Sequence, residues 1–283
     1  MCYNIKSFKV KWKELICLGN NNLPIGVLDS GVGGLTVVKE LIISLPNENV
    51  VYFGDSKRMP YGNKTEEEIV ILANNIISFL EDKGVKGILL ACNTVSSQIQ
   101  NLQSKVPIFG IIEAGCLAAI ETSKSQEIGL IATVATVKSK IYESILKDLA
   151  PGKKILSNDS RKLPKIINDH LEDRNLLDIH IRECINPIMD KGFPSELILG
   201  CSHFPIIQDE IQELYPNLKL INPANKQVLM IKKYLEENQL LNDENKRKVE
   251  IYSTEGIDEF RLTLERLKIK DYSLDKVKLF KDD

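Results

Sequence analysis

The stretch Pro24-Ile25-Gly26-Val27-Leu28-Asp29-Ser30-Gly31-Val32-Gly33-Gly34-Leu35-Thr36 decides the fold. A short apolar run stops at an aspartate and passes through a glycine-rich turn. It then continues as Leu35 to Ser44, with apolar side chains at 35, 37, 38, 41, 42 and, just beyond, 45, the spacing of one helical face. Outward from this unit the pattern recurs. Val50-Val51-Tyr52-Phe53 predicts a second strand, and Thr65 to Asp82 a long helix that opens on Thr65 and three glutamates. Gly87-Ile88-Leu89-Leu90-Ala91 predicts a third strand ending at Cys92. Unbroken apolar strands separated by helices predict a parallel sheet covered on both faces. In such sheets chemistry gathers at the carboxyl ends of the strands, where Asp29, Asp55 and Cys92 fall.

The same order returns later in the chain. Glu127-Ile128-Gly129-Leu130-Ile131-Ala132-Thr133 resembles the segment 24–30, and Glu196-Leu197-Ile198-Leu199-Gly200-Cys201 resembles 87–92, at offsets of about 103 and 109 residues. A weak duplication predicts two related α/β lobes, each a mostly parallel sheet flanked by helices, and each delivering one thiol to a strand end. From about Lys226 the pattern predicts a helix, a short strand at Val249 to Ser253, and a helix near Asp258 to Leu267 that pack back on the first lobe.

Composition narrows the class of function. The chain has 283 residues, 43% apolar and 27% charged, with a formal net charge of -2, so there is no basic field to hold nucleic acid. No run approaches the eighteen or so apolar residues of a membrane helix. Lys and Glu interrupt the first eighteen residues before a secretory apolar region forms, which predicts a cytoplasmic protein. In that compartment the six cysteines, Cys2, Cys17, Cys92, Cys116, Cys184 and Cys201, none in a C-x-x-C pair, are expected to be thiols.

Two readings of the glycine-rich turn compete. It half matches a dinucleotide fingerprint, since Asp55 lies 24 residues after Gly31, but Thr36 stands at the third glycine position and Asp29 would face a pyrophosphate. The plainer alternative is a tight strand-to-helix turn. Ala91-Cys92-Asn93-Thr94 sets a thiol, an amide and a hydroxyl ahead of a helix expected near Val95, and helix N-termini favour thiolate. Gly200-Cys201-Ser202-His203-Phe204-Pro205 repeats the arrangement with an imidazole two residues on, and Pro205 suits a first helical turn. One cysteine beside an apolar strand is ordinarily a small buried hydrophobe. Two in equivalent positions, both followed by polar side chains, point instead to proton removal and return on opposite faces of one carbon. An α-hydrogen is far less acidic than a thiol, so such a site needs preorganised donors and exclusion of water. Ser30, Asn93, Thr94, Ser202 and the Gly62 amide are the candidate donors, with Asp29 beside Cys92 and His203 beside Cys201 to orient the thiols and manage their protons.

Six strings together carry a family resemblance: Gly26-Val27-Leu28-Asp29-Ser30-Gly31-Val32-Gly33-Gly34-Leu35, Tyr52-Phe53-Gly54-Asp55, Pro60-Tyr61-Gly62, Ala91-Cys92-Asn93-Thr94, Ala132-Thr133-Val134-Ala135-Thr136-Val137-Lys138-Ser139 and Gly200-Cys201-Ser202-His203-Phe204-Pro205. In this order, from about Leu23 to Leu267, the chain resembles the glutamate racemases of the cofactor-independent aspartate/glutamate racemase superfamily. The resemblance implies an active site between two lobes, no pyridoxal phosphate, metal or other cofactor, and cytosolic supply of D-glutamate for peptidoglycan. It implies that Cys92 handles the proton of the D-enantiomer with help from Asp29, and Cys201 that of the L-enantiomer with help from His203. Ser30, Pro60, Tyr61, Gly62, Asn93, Thr94, Thr136 and Ser202 would hold the substrate. It also implies a discontinuous first lobe, 23–114 plus 225–272, around a second lobe, 115–224. Residues 1–22 are left as an extension and 273–283 as a tail.

The chain departs from the family pattern at several positions. Ser202 replaces threonine, Val95 a small residue, Asn222 an acid and Ala114 a proline. The glutamate expected to assist the second thiol is replaced by Ile167, with Asp169 and Glu172 as nearby carboxylates that could substitute only after a shift of register. Cys116 is expected to line the site near Glu113, while Cys2, Cys17 and Cys184 have no expected role. Two other functions stay open on the sequence: racemisation of another amino acid such as aspartate, against which the His203 form of the second motif argues, and a diverged paralogue that binds an acidic ligand or a protein partner without turnover. The expected partner is a small molecule, with no nucleic acid and no membrane, and a homodimer is compatible with the reading.

Overall fold

Strands that are apolar on both faces are stable only where both faces are covered, and the computed structural model, which describes residues 21–279, contains two such sheets. The strands are β1 (Ile25–Asp29), β2 (Val50–Gly54), β3 (Gly87–Leu90), β4 (Ile108–Gly110), β5 (Glu127–Ala132), β6 (Lys154–Asp159), β7 (Glu196–Gly200), β8 (Lys219–Ile221), β9 (Val249–Ser253) and β10 (Tyr272–Lys276). One sheet has the order β10-β9-β2-β1-β3-β4 and the other β6-β5-β7-β8, and every pairing is parallel. The two pairs of similar segments occupy matching places. β1 lies between β2 and β3, just as β5 lies between β6 and β7.

The helices are α1 (Leu35–Ser44), α2 (Glu66–Asp82), α3 (Asn93–Ser96), α4 (Ile111–Thr122), α5 (Val134–Ser139), α6 (Ile141–Leu149), α7 (Leu163–Asp169), α8 (Arg174–Met189), α9 (Gln208–Leu214), α10 (Pro223–Glu237) and α11 (Ile257–Arg266). α2 shows why the sequence signals work. Thr65 is its cap, accepting from the Glu68 amide while the Glu68 side chain accepts from the Thr65 amide, and three glutamates sit on its positive end. Its buried face is Ile69, Ala73, Ile76, Ile77 and Leu80. At α10, Asn222 caps the first turn by accepting from the Ala224 amide, with Pro223 inside it. Among the described residues no helix is long and apolar enough to cross a membrane.

Two expectations are corrected, and the place of a third is described. The helix after Cys92 is a single turn that begins at Asn93 rather than near Val95, because Cys92 itself stands at the cap position. The junction expected at 114/115 lies inside the continuous helix α4. Tyr272–Lys276, which begin at the end of the first lobe and run into the segment set aside as a tail, pair with β9 as an exposed edge strand, whose Asp275 and Lys276 discourage further pairing. Cys2, Cys17 and nearly all of the 1–22 extension lie outside the described residues, as do 280–283 at the other end.

β9 pairs with β2, so chain beyond 225 returns to the first sheet. A buried ion pair fastens it there. Lys86, 2% exposed at the amino end of β3, places Nζ 2.5 Å from Glu48 Oε2 and donates to the carbonyls of Asn21 and Leu240, both at 2.8 Å. Glu48 Oε1 accepts from the Asn242 amide at 2.8 Å. Removing one member leaves the other charge buried and unpaired, so Lys86→Met and Glu48→Gln are each expected to lower unfolding stability in urea by about 3 kcal/mol. Losses under about 1 kcal/mol for both would show that the pair is not desolvated.

Candidate active site

In a parallel sheet whose first strand is central, connections leave that strand on opposite sides and open a crevice at its carboxyl end. The first sheet has this switch between β1 and β3, and the second between β5 and β7. Asp29 and Ser30 come from the end of β1 and Cys92 from the end of β3; Thr133 follows β5 and Cys201 follows β7. Cys92 and Cys201 are each 5% exposed, and Asp29, Asn93, Thr94, Thr136, Ser202 and His203 are buried with them.

The two crevices close on one another. Gly33, in the turn after β1, presses so close to the second sheet that a Cβ there would lie 2.5 Å from Ser202 Oγ and 2.8 Å from the His203 amide. The glycine-rich turn therefore serves contact between lobes. Asp55, the acid that the dinucleotide reading needed, is consumed elsewhere. Arg58 at 3.0 Å, the Tyr61 hydroxyl at 2.7 Å and the Thr254 hydroxyl at 2.7 Å all donate to it. Further links cross the cleft: Thr94 Oγ1 lies 3.1 Å from Thr133 Oγ1, which lies 3.0 Å from Thr136 Oγ1, and the Tyr142 hydroxyl donates to Asn93 Oδ1 at 2.8 Å. From β3's other side Gln227 of α10 donates to the carbonyls of Leu90 at 3.0 Å and Phe109 at 2.8 Å, which steadies the strand end ahead of Cys92.

Burial dominates the electrostatics of the site. Burial raises the Asp29 carboxyl to about 6, against the pull of the Ser202 hydroxyl and the amides of Gly31, Gly34 and Ser30. Burial, then the Asp29 charge, pushes the Cys92 thiol up to about 11, although Sγ contacts Ser30 Oγ at 3.4 Å. Cys201 is driven well above the ordinary thiol range by burial and, less, by the charges of Cys92 and Asp29, which puts the three groups in one field. Burial lowers His203 to about 4, so its ring is neutral at physiological pH, with Nδ1 3.8 Å from Cys201 Sγ. Asp29 Oδ1, Asn93 Nδ2 and His203 Nε2 are buried without a hydrogen-bond partner in the protein. Each is a polar atom left available to a ligand at a residue beside one of the two thiols in the chain or in the fold.

Not every expected residue joins the cluster. Pro60 is exposed, and the Tyr61 hydroxyl is committed to Asp55, while Gly62 packs beside Thr133. Cys116 does not line the site: it is fully buried in the second core and its thiol points to the Tyr142 carbonyl at 3.7 Å. Ile167, where a carboxylate was expected, is 2% exposed and packs in the same apolar cluster as Cys201. Asp169 is exposed and paired with Lys165, and Glu172 is exposed, so neither replaces that carboxylate. Thr133 and Tyr142 were missed; a hydroxyl three residues before Thr136, at the end of a strand, was the available signal for Thr133. Among the described residues no group of three or more His, Cys, Asp or Glu side chains could hold a metal ion.

With this geometry in hand, comparison with known proteins places the chain. The Asp/Glu/Hydantoin racemase family model matches residues 25–230, and the chain belongs to that family. Among curated relatives it is 35% identical to glutamate racemase 2 of Caldanaerobacter subterraneus over 243 residues, covering 86% of this chain and 92% of the relative. Of solved structures, a Bacillus anthracis glutamate racemase isoform superposes with a TM-score of 0.86 at 32% identity, and the Francisella tularensis glutamate racemase in complex with D-glutamate with 0.82 at 34%. Each match covers 92% of this chain and 98% of the other.

The raised pKa of Asp29 has a consequence for stability. The folded protein binds a proton more tightly than the unfolded chain, whose aspartate titrates near 3.8, so this group favours the fold below about pH 4 and the benefit is lost as pH rises through 6. Asp29→Asn is therefore expected to be more stable than the parent near pH 8, by about 2–3 kcal/mol, with the gain vanishing toward pH 4. Urea unfolding at the two pH values checks this, and equal differences at both would contradict it.

Proposed function

We propose that the chain interconverts L- and D-glutamate by moving the α-proton between two thiols, Cys92 and Cys201, and so supplies D-glutamate for peptidoglycan. The observation that carries this reading is the pair of buried thiols at equivalent switch points of two facing parallel sheets, each with its own helper, Asp29 or His203. Family membership and the glutamate racemases among its relatives support the choice of substrate. A cytoplasmic location accords with a reaction that requires two reduced thiols.

In this mechanism one thiolate removes the α-hydrogen and the opposing thiol returns a proton to the other face, which leaves the stereocentre inverted and the two sulfurs exchanged in charge. Asp29 would accept or return the proton of Cys92, and His203 that of Cys201. The substrate's ammonium would bring a positive charge beside the thiols, lowering both toward the range where one can ionise. Ser30, Asn93, Thr94, Thr136 and Ser202, with Thr133 and the backbone amide of Gly62, would bind the substrate's carboxylates as preorganised donors.

Replacing Cys92 or Cys201 by serine is expected to lower racemisation by at least about a thousandfold, since a serine hydroxyl is a much poorer base than a thiolate. Circular dichroism on either enantiomer reads the loss, and normal interconversion by either variant would sink the two-thiol reading. The two thiols are also unequal. With Ile167 rather than a carboxylate in the cluster around Cys201, proton abstraction that begins at Cys201, from L-glutamate, is expected to be the slower. Deuterium wash-in from each enantiomer measures this directly, and matched initial exchange rates would contradict it.

A further inference from the structure

We propose that Tyr142, on the second lobe, is a positioning residue that fixes the orientation of the Asn93 carboxamide on the first lobe and so turns its NH2 group toward the substrate; this rests on the reading of Asn93 as a substrate contact. Tyr142 is fully buried and its hydroxyl lies 2.8 Å from Asn93 Oδ1. Burial raises its pKa far above the physiological range, so the phenol keeps its proton, and the hydroxyl donates it to Asn93 Oδ1. The carbonyl oxygen of Asn93 is then committed. Its Nδ2, on the opposite side of the amide, is buried with no partner in the protein.

A carboxamide has nearly the same shape in its two flipped forms, so only hydrogen bonding chooses between them. One form offers two N–H donors to a carboxylate; the other offers an oxygen that repels it. Without the Tyr142 hydroxyl nothing in the structure distinguishes the two. Because the bond crosses from one lobe to the other, the amide is oriented only while the lobes are together.

The surroundings of Tyr142 are built to place it. Lys140 takes a left-handed backbone, φ 54°, which breaks α5 from α6 and redirects the chain two residues before the tyrosine. Such a conformation is unfavourable for a residue with a Cβ. The tyrosine ring then crosses α4 at Gly115, where a Cβ would lie 3.2 Å from both ring carbon Cε1 and the hydroxyl. A glycine within a helix is unfavourable in itself, and here it clears the path by which the hydroxyl reaches Asn93.

Tyr142→Phe keeps the ring and removes only the hydroxyl. Uniform loss of substrate binding shows in KM with kcat little changed, so the variant is expected to raise KM for both enantiomers about tenfold while kcat stays within about threefold. Asn93→Ala should show the same signature. In a double-mutant cycle, Tyr142→Phe is expected to change KM by less than about twofold in the Asn93→Ala background, because its effect passes through Asn93. Gly115→Ala, which retains both partners but crowds the ring, should raise KM by about threefold. Circular dichroism and thermal melting confirm that each variant is folded. If Asn93→Ala is impaired but Tyr142→Phe keeps parental KM, or if the two effects multiply independently, the positioning role is overturned while the substrate contact stands. If Asn93→Ala itself keeps parental KM, the substrate contact falls and the positioning role with it.

Discussion

The structure depends on the parallel pairing of a central first strand with neighbours on both sides, made twice. Once β1 lies between β2 and β3, the chain must leave its carboxyl end in one direction and return in the other, and the crevice that results cannot be filled by backbone. The same constraint acts at β5 between β6 and β7. Two crevices set against each other, with Gly33 against Ser202 and His203, bury a cluster of polar side chains between elements that are otherwise ordinary apolar packing. Cys92 and Cys201 stand where they do because each follows the strand on the far side of its switch point. Remote features serve this frame. The Lys86–Glu48 pair fastens the returning chain at the opposite strand ends, and Gln227 satisfies carbonyls that β3 and β4 would otherwise leave bare.

Exclusion of water gives the site its chemical character and also its cost. Burial keeps both thiols protonated and holds the Asp29 carboxyl near the pH at which it can exchange a proton. A neutral His203 fits the same picture, because an imidazolium would be as expensive here as a bare thiolate. Burial thus disfavours every charged form in the site. The arrangement includes unpartnered polar atoms at Asp29, Asn93 and His203.

Much of this was legible along the chain. The strand-to-helix unit at 24–44, the capping box at Thr65, and the similarity of 127–133 to 24–30 and of 196–201 to 87–92 report local preferences, and local preferences survive in the folded protein. The strand that runs into the segment from 273 was not legible because an exposed edge strand has no apolar pattern to announce it. The expected junction at 114/115 falls inside a continuous helix, whose periodicity carries no mark of a passage between lobes. Cys116 lies one turn from Glu113 on α4, yet its thiol meets the Tyr142 carbonyl inside the second core, a contact between residues 26 apart that local spacing does not reveal.

By itself the sequence determined the two parallel sheets, the two thiols at strand ends and their acidic and imidazole neighbours, because strand polarity and residue spacing are written in consecutive residues. It also identified Ile167 as the departure near the second thiol. What only the tertiary structure decided were the contacts between residues far apart in the chain: Gly33 against Ser202 and His203, Thr94 with Thr133, and Tyr142 with Asn93. It also decided that Asp55 and Tyr61 are spent on each other. Those outcomes depend on how two lobes meet, and the distances across that meeting have no counterpart in local spacing.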